Sequence, residues 1–402
     1  MPSFLPITLE ASLNNVRTAA PNYMSGFSDL TIRGHMLLDM MNSLGNIENN
    51  ASDIARIWKI KVRQPNVRTL SNTTRKTFTD SDAFEELQVG VRGYESSDML
   101  KELDYKRNQG PLQLINLLDT KLADIGETLK QKIQEGMYRD GDSVAYQDGY
   151  QGFETVLGCN NTARGGADAD ATDRIILPSD SYGGHSTDLG YFGGSTSNEI
   201  AAADRMNKTQ GLANDFPYGH PTTDYDAMSP SLWNYTSTGW GSGSGLWEDN
   251  VEEVMREALN ALHHRTGVGG NVKVAFLIAP DLYPGVENHY SSRFRIIQPA
   301  TNGEQGFPQF QMLQIDGCSV KSEYGCPPTL GYGFVANHME MFNYAPMMKP
   351  SAGASMIDIF GPTWEEMLAA YIMRADTVGN LKLSPKYMCK LAPLAHYNAQ
   401  IA

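Results

Sequence analysis

The chain has 402 residues and a formal net charge of −14, and its composition is 41% hydrophobic and 19% charged. This composition is typical of a folded globular protein and excludes an intrinsically disordered chain. The negative charge also argues against a surface that binds nucleic acid nonspecifically, because phosphate contacts need clustered lysine and arginine.

The first residues contain no basic stretch followed by an apolar one, and the apolar run Val274–Ala279 is far shorter than the ~20 residues of a membrane helix. We therefore expect neither a secretory signal nor a membrane segment. The cysteines are scattered and form no C-x-x-C motif, which favours free thiols in a reducing compartment, with a Cys318–Cys326 bridge as the alternative. The four are Cys159, Cys318, Cys326 and Cys389.

A helical pattern at Leu30–Leu44 is followed by a strongly basic segment with no acidic residue. A basic segment on an acidic chain is suited to contact another copy of the same chain, although a solvated basic face explains the charge equally well. Its basic residues are Arg56, Lys59, Lys61, Arg63, Arg68, Arg75 and Lys76.

Apolar and basic residues alternate along Arg56–Arg63, with Trp58 on the apolar face, and alternation returns at Leu87–Val91. A period of two predicts half-buried strands. The two runs together predict a ribbon with a long polar tip. Since an isolated hairpin is only marginally stable in water, the ribbon must pack on the rest of the chain or on a neighbouring subunit.

Pro111 precedes apolar residues that recur every three or four positions as far as Met137. This spacing predicts a helix of about 28 residues and about 40 Å. Residues 140–248 are rich in Gly, Ser, Asp and Asn and predict loops, short strands and an insertion, with Gly239–Gly245 as a flexible connector.

Regular structure returns with an amphipathic helix at Asp249–Arg265 and a buried strand at Val272–Ile278. Thr377–Asn380 lies between two apolar stretches and predicts the turn of a long hairpin, with a helix around Trp364–Met373 as the alternative. The other predicted elements are a short helix opened by Pro280 and Asp281 and strands at Phe310–Ile315 and Tyr332–Asn337.

Motifs for catalysis and metal binding are incomplete. Gly184–Asp188 approaches G-x-S-x-G but lacks the second glycine. His263 and His264 would point about 100° apart on a helix, which is poor geometry for one ion. Asp168–Asp173 lacks the glycine and glutamate of a calcium loop. We expect no catalytic residue, no cofactor site and no metal site.

The order of these parts resembles the Hong Kong 97-type major capsid protein of tailed bacteriophages. Met24–Arg33 and Ile57–Arg63 resemble the arm and extended loop of that family. Asp281–Tyr283 is similar to part of its axial domain, and Gly379–Pro385 to its closing strand. The resemblance covers most of the chain except roughly 158–230. The W-G-x-P-V strand that is frequent in the family is not evident.

The resemblance implies an α+β, Hong Kong 97-like capsid fold with an N-terminal arm, an extended β-ribbon loop, a long spine helix, and peripheral and axial domains. The implied divisions are an arm at 1–52, an extended loop at 53–95, a peripheral domain with the spine helix at 96–150, an axial domain at 151–345 with an insertion at 158–230, and a return to the peripheral domain at 346–402.

The implied function is that of a major capsid protein, not an enzyme. It would assemble with itself as hexamers and pentamers into an icosahedral shell that encloses double-stranded DNA without sequence-specific binding. Assembly in the bacterial cytoplasm would place it in the virion, with a portal and in some cases a decoration protein. No long acidic or coiled extension precedes the arm, so we expect a separate scaffolding protein.

Charge complementarity gives a hypothesis for the contact between subunits. The basic ribbon of one subunit would lie on an acidic helix face of its neighbour. The ribbon residues are Arg56, Trp58, Lys59, Lys61, Arg63, Arg68, Arg75 and Lys76, and the acidic residues are Glu248, Asp249, Glu252, Glu253 and Glu257.

Two alternatives remain open. An encapsulin-type nanocompartment shell would have the same fold and would hold a cargo enzyme. A tail-borne or secreted carbohydrate-binding protein is suggested by the aromatic, Gly/Ser-rich middle of the chain.

Overall fold

The computed structural model describes residues 36–51, 55–61, 84–107, 117–159, 174–176, 178, 180–187, 228, 230–266, 274–293, 313–315, 318–344 and 358–399. These residues form a mixed α+β fold with two main sheets. The helices are α1 (Met36–Leu44), α2 (Glu102–Arg107), α3 (Leu117–Tyr138), α4 (Trp247–Thr266), α5 (Tyr283–Arg293) and α6 (Leu394–Ala399). The strands are β1 (Ile47–Ala51), β2 (Ala55–Lys61), β3 (Phe84–Gly90), β4 (Arg92–Lys101), β5 (Ile175–Ile176), β6 (Ser181–Tyr182), β7 (His185–Ser186), β8 (Ser231–Asn234), β9 (Val274–Ile278), β10 (Leu313–Ile315), β11 (Cys318–Ser322), β12 (Gly331–Val335), β13 (Glu340–Tyr344), β14 (Asp358–Glu365), β15 (Ala370–Lys382) and β16 (Met388–Ala392).

The first sheet is built around β15. One edge of this strand pairs with β4, from Ala370 opposite Lys101 to Gly379 opposite Arg92. Its other edge pairs with β14 along Ala370–Asp376 and with β13 along Gly379–Lys382. Strand β1 lies parallel to β13 on the far side of β13. Helix α3 packs across β4 and β15 and buries the apolar face that its sequence period predicts.

The second sheet has seven strands in the order β10-β11-β9-β12-β16-β8-β5. Alternate residues of β9 enter different cores: Ala275 and Leu277 join the core shared with the first sheet, whereas Phe276 and Ile278 face α4. Because β9 is covered on both faces, its sequence is a continuous apolar run rather than an alternating one. The predicted buried strand and amphipathic helix are thus confirmed over the described residues.

The prediction for the C-terminal hairpin was wrong. Thr377–Asn380 lies inside β15, and the turn comes earlier, at 366–369. Gly379 allows the close approach of β13, since a Cβ atom there would lie 2.0 Å from the carbonyl oxygen of Phe342. Asn380 is buried and accepts a hydrogen bond from the Gln151 backbone N–H at 2.9 Å. The helix alternative was also wrong, because that segment is strand, turn and strand.

The glycine-rich segment Gly239–Gly245 is not a free connector. Trp240 is buried and its Nε1 donates to the carbonyl of Asn234 at 2.8 Å. The Gly241 N–H donates to Glu253 on α4 at 2.7 Å, and the Ser242 hydroxyl donates to Asn250. These bonds fix the loop against the first turns of α4.

Only parts of the predicted insertion at 158–230 are described. Within them, β5 pairs with β8 at the edge of the second sheet, and Tyr182 is buried with its hydroxyl donating to the carbonyl of Leu381 at 2.8 Å. These flanks belong to the folded core, whereas residues 188–227 lie outside the described residues.

Candidate functional site

Strands β2 and β3 form the predicted antiparallel ribbon, from Ala55 opposite Gly90 to Lys61 opposite Phe84. Residues directly opposite in such a pair share a face of the ribbon. Trp58, Leu87 and Val89 therefore lie on one face, and they are half-buried or buried.

The inner face fixes the base of the ribbon to its own subunit. The Trp58 ring makes an edge contact with Phe342, with centroids 5.5 Å apart, and Lys382 Nζ lies 5.1 Å from the Trp58 ring. Asn380 donates from Nδ2 to the carbonyl of Gly90 at 2.7 Å. Trp58, which the sequence analysis assigned to a contact between subunits, is half-buried and packs on its own subunit.

The small hairpin of β6 and β7 supports the ribbon from the side. The Gln88 N–H donates to the carbonyl of Gly183 at 3.3 Å, and His185 Nε2 lies 2.8 Å from the carbonyl oxygen of Glu86. Gly183 has φ +58°, and a Cβ atom there would lie 2.2 Å from Leu87 Cδ1. Glycine is therefore needed for this close contact, and the contact helps to set the direction of the ribbon.

The outer face of the ribbon combines apolar and charged side chains. Ile57 is 53% exposed and Phe84 59% exposed, although both are large and apolar. Lys59 is also exposed and lies opposite Glu86. A rigidly anchored face of this composition is suited to bind another protein surface.

Lys59 is the one predicted basic residue whose side chain lies in the described part of the ribbon. Arg56 and Lys61 lie in β2, but their side chains are outside the described set. The predicted interface residues that lie outside the described ranges are Arg63, Arg68, Arg75 and Lys76.

The predicted acidic residues share α4, but only part of their charge is available to a partner. Arg174 Nη1 lies 3.3 Å from Glu257 and 3.8 Å from Glu253. Glu252 pairs with Arg256 at 2.9 Å and with His289 at 2.9 Å. These three carboxylates are therefore already engaged by partners within the subunit.

The remaining two, Glu248 and Asp249, are exposed in the first turn of α4. Acidic side chains at this position interact favourably with the helix dipole. They are the part of the acidic face that best fits a basic partner.

Sequence reasoning missed a second exposed apolar surface, which we call the hairpin tip (residues 364–369). Met367 is 93% exposed, and Leu368 and Trp364 are also exposed. The Trp364 ring packs on Tyr371, with centroids 5.1 Å apart. Ala369 has φ 46°, an uncommon value for a residue other than glycine, and its carbonyl accepts from the Glu102 N–H at 3.0 Å.

The sequence of this turn is unusual, because Gly, Pro, Asn, Asp and Ser dominate turns. A turn that instead presents Met367 and Leu368 to solvent favours a contact surface over a simple connection. No local signal could have revealed it, since an apolar pair in sequence predicts burial.

A buried ion pair links β16 to the segment at 153–155. Lys390 on β16 is 0% exposed, and its Nζ lies 2.7 Å from Glu154 Oε2. The Tyr332 hydroxyl donates to the other oxygen of Glu154 at 2.5 Å. Burial, followed by the positive charge of Lys390, lowers the pKa of neighbouring His396 to about 4. The pair lies beside the core that the two sheets share, and its geometry stabilises the packing of β16 on the segment at 153–155.

Within the described ranges, all four cysteines are free and buried, as expected, and the Cys318–Cys326 bridge is absent. No described group of three or more His, Cys, Asp or Glu side chains is arranged to hold a metal ion. Among the described helices, none is both long and apolar enough to cross a bilayer.

No protein-family model matches the sequence, and no curated protein matches it either. Solved structures do match the fold. The capsid of Cyanophage A-1(L) aligns with a TM-score of 0.59 at 11% identity, over 93% of this chain and 96% of the other. The capsid of the native GTA particle aligns with a TM-score of 0.52 at 8% identity, over 93% of this chain and 95% of the other.

An encapsulin from Synechococcus elongatus PCC 7942 aligns with a TM-score of 0.49 at 9% identity, over 95% of this chain and 96% of the other. At that TM-score the likeness does not bear on the choice between shell types. The two capsid alignments, by contrast, have TM-scores above 0.5 and each covers 93% of this chain. The chain has the fold of phage capsid proteins.

Proposed function

We propose that this chain is a major capsid protein of the Hong Kong 97 type, which assembles with itself into a closed shell around double-stranded DNA. The observation that carries the proposal is the alignment of nearly the whole chain with nearly the whole of a phage capsid chain. The exposed apolar surfaces of the ribbon and the hairpin tip support it, because a lone soluble subunit gains nothing from exposing them.

The proposed divisions follow the two sheets. Strands β2 and β3 would be the base of the extended loop, α3 the spine helix, the first sheet the peripheral domain, and the second sheet the axial domain. Several boundaries change: β1, the start of β4, and β13 lie in the first sheet, and β16 pairs with β12 and β8 in the second sheet. We therefore assign Met388–Ala392 to the axial domain rather than to the C-terminal return.

In the proposed contact, the outer face of the ribbon lies on a neighbouring subunit. Burial of Ile57 and Phe84 would supply most of the free energy, and Lys59 would face the exposed Glu248 and Asp249 of that neighbour. Charge pairs at a surface contribute little affinity but strongly influence which surfaces meet. This division of roles suits a shell whose contacts must remain reversible until they are correct.

The hairpin tip would form a second contact between copies. Replacing both Met367 and Leu368 with Asp should reduce assembly at least about tenfold, since burying each such side chain contributes about 1.5–3 kcal/mol. Folded stability should change little, because both side chains are exposed in the subunit. Sedimentation velocity would measure assembly, and urea unfolding would measure stability.

The matched control is Val144→Asp, which adds a carboxylate at a residue that is 90% exposed and distant in sequence from the tip. It should assemble normally. Normal assembly of the Met367→Asp, Leu368→Asp variant would remove the tip from the proposed contacts.

The content of the particles distinguishes the candidate shells. For the proposed function, particles isolated from the native source contain double-stranded DNA, and a scaffolding protein and a portal are found with their precursors. A cargo enzyme in place of DNA would support the encapsulin alternative and contradict the phage role. The fold gives the carbohydrate-binding alternative no support. Specific binding to a glycan array would be the result that supports it.

A further inference from the structure

A buried carboxylate, Glu323, connects helix α1 to the body of the subunit. It is 1% exposed and follows β11. Its Oε2 accepts the backbone N–H of Leu37 in the first turn of α1 at 3.2 Å. Its Oε1 accepts the side-chain amide of Gln134 on α3 and, at 3.4 Å, the N–H of Gly325. Three separate segments thus meet at one side chain.

The Leu37 contact satisfies a group that the helix itself cannot. The first N–H groups of an α-helix have no acceptor within the helix, and a carboxylate there also interacts favourably with the helix dipole. Glu323 therefore caps α1 from a position 286 residues away. Elsewhere α1 is held by Leu37, Leu38 and Met41, whose side chains are buried in the first core.

Within the described part of the chain, the donors to the Glu323 carboxylate are all neutral amides, and it forms no salt bridge there. Among the described residues, the titratable groups that face it are Asp39 on α1, Tyr138 on α3 and Cys326 in its own loop, none of them basic. An ionised carboxylate is costly in such surroundings, because burial removes water and no positive charge among the described residues replaces it.

We propose that Glu323 is a proton-sensitive latch for α1: the helix is docked most firmly when Glu323 carries a proton and less firmly when Glu323 is ionised. This device would couple the position of the N-terminal segment to pH, whether or not the chain forms a shell.

The direction follows from proton linkage. Burial, opposed by its hydrogen bonds and aided by Asp39, raises the pKa of Glu323 from the ordinary 4.5 to about 7. If α1 leaves, water reaches the carboxyl group and its pKa falls toward the ordinary value. The docked state therefore binds the proton more tightly, so docking is strongest below about pH 4.5 and weakens as pH rises to about 7.

Hydrogen–deuterium exchange of the α1 amides between pH 5 and 8, corrected for intrinsic exchange rates, tests the latch in the full chain. Protection of α1 should fall by up to about a hundredfold as pH rises, since each unit of pKa difference corresponds to tenfold. Protection of β9, a central strand without titratable side chains, serves as the internal control and should stay constant. Equal protection of α1 throughout this range would overturn the proposal.

Three variants identify the group. Glu323→Gln should make α1 protection independent of pH, whereas Glu135→Gln, which removes a partly exposed carboxylate from α3, should keep the wild-type profile. Asp39→Asn should shift the transition to lower pH, because it removes a negative charge that faces Glu323. If Glu323→Gln does not fold, Asp39→Asn is the deciding variant. An unchanged midpoint pH for the loss of α1 protection in that variant would contradict the latch.

Discussion

Replacing Lys390 with Met is expected to lower the free energy of unfolding of the subunit by about 3–5 kcal/mol, the usual cost of breaking a buried ion pair by removing one partner. Lys390 is fully buried and its Nζ lies 2.7 Å from Glu154. Methionine has a similar volume, so the loss would come from the uncompensated carboxylate rather than from a cavity. Urea unfolding followed by tryptophan fluorescence measures the change.

A double-mutant cycle separates charge from packing. Glu154→Gln in the Lys390→Met background removes the isolated charge and leaves an acceptor for the Tyr332 hydroxyl. The double variant should recover more than half of the lost stability. If Lys390→Met unfolds within about 1 kcal/mol of the wild type, the pair does not stabilise the packing of β16 on the segment at 153–155.

Reversing the charge of Lys59, Lys61 and Arg63 to Glu is expected to block assembly while the subunit remains folded. Lys59 is exposed on the outer face of the ribbon, where it would meet Glu248 and Asp249 of a neighbour. Juxtaposed like charges cost several kcal/mol at an interface, far more than an exposed pair contributes. Light scattering measures assembly, and normal particles from this variant would contradict the proposed contact.

The ribbon itself offers a competing explanation that can be tested. Lys59 lies opposite Glu86 in the same ribbon, so Lys59→Glu also places two carboxylates across the strand pair. Adding Glu86→Gln to the single Lys59→Glu variant removes that internal repulsion but leaves Glu at position 59. Assembly should stay impaired in this double variant, and its recovery would assign the defect to the ribbon alone. Lys132→Glu, an exposed charge reversal on α3, is the control and should assemble normally.

Patterns with a clear period predicted much of the fold. Alternation along Arg56–Arg63 gave the ribbon, helical spacing gave α3 and α4, and the continuous apolar run at Val274–Ile278 gave a strand covered on both faces. In each case the residue pattern of the element itself indicates which of its faces is buried. The wrongly placed hairpin shows the limit, because Gly379 marks a close strand approach that resembles a turn signal in sequence.

The candidate sites were less predictable, because they depend on partners distant in the chain. Glu154 and Lys390 are 236 positions apart, and nothing near either residue indicates the other. Charge counting found the acidic residues of α4 but could not show that Arg174 and His289 already engage three of them. The exposure of Met367 is a property of the turn that presents it.

Electron microscopy of negatively stained particles, with light scattering on the same purified protein, tests the central claim most directly. Self-assembly predicts closed shells, tubes, or free hexamers and pentamers, from the chain alone or when it is coexpressed with the products of neighbouring genes. A subunit that remains monomeric or trimeric under both conditions, across a range of salt and protein concentration, would contradict the claim that this chain builds a shell.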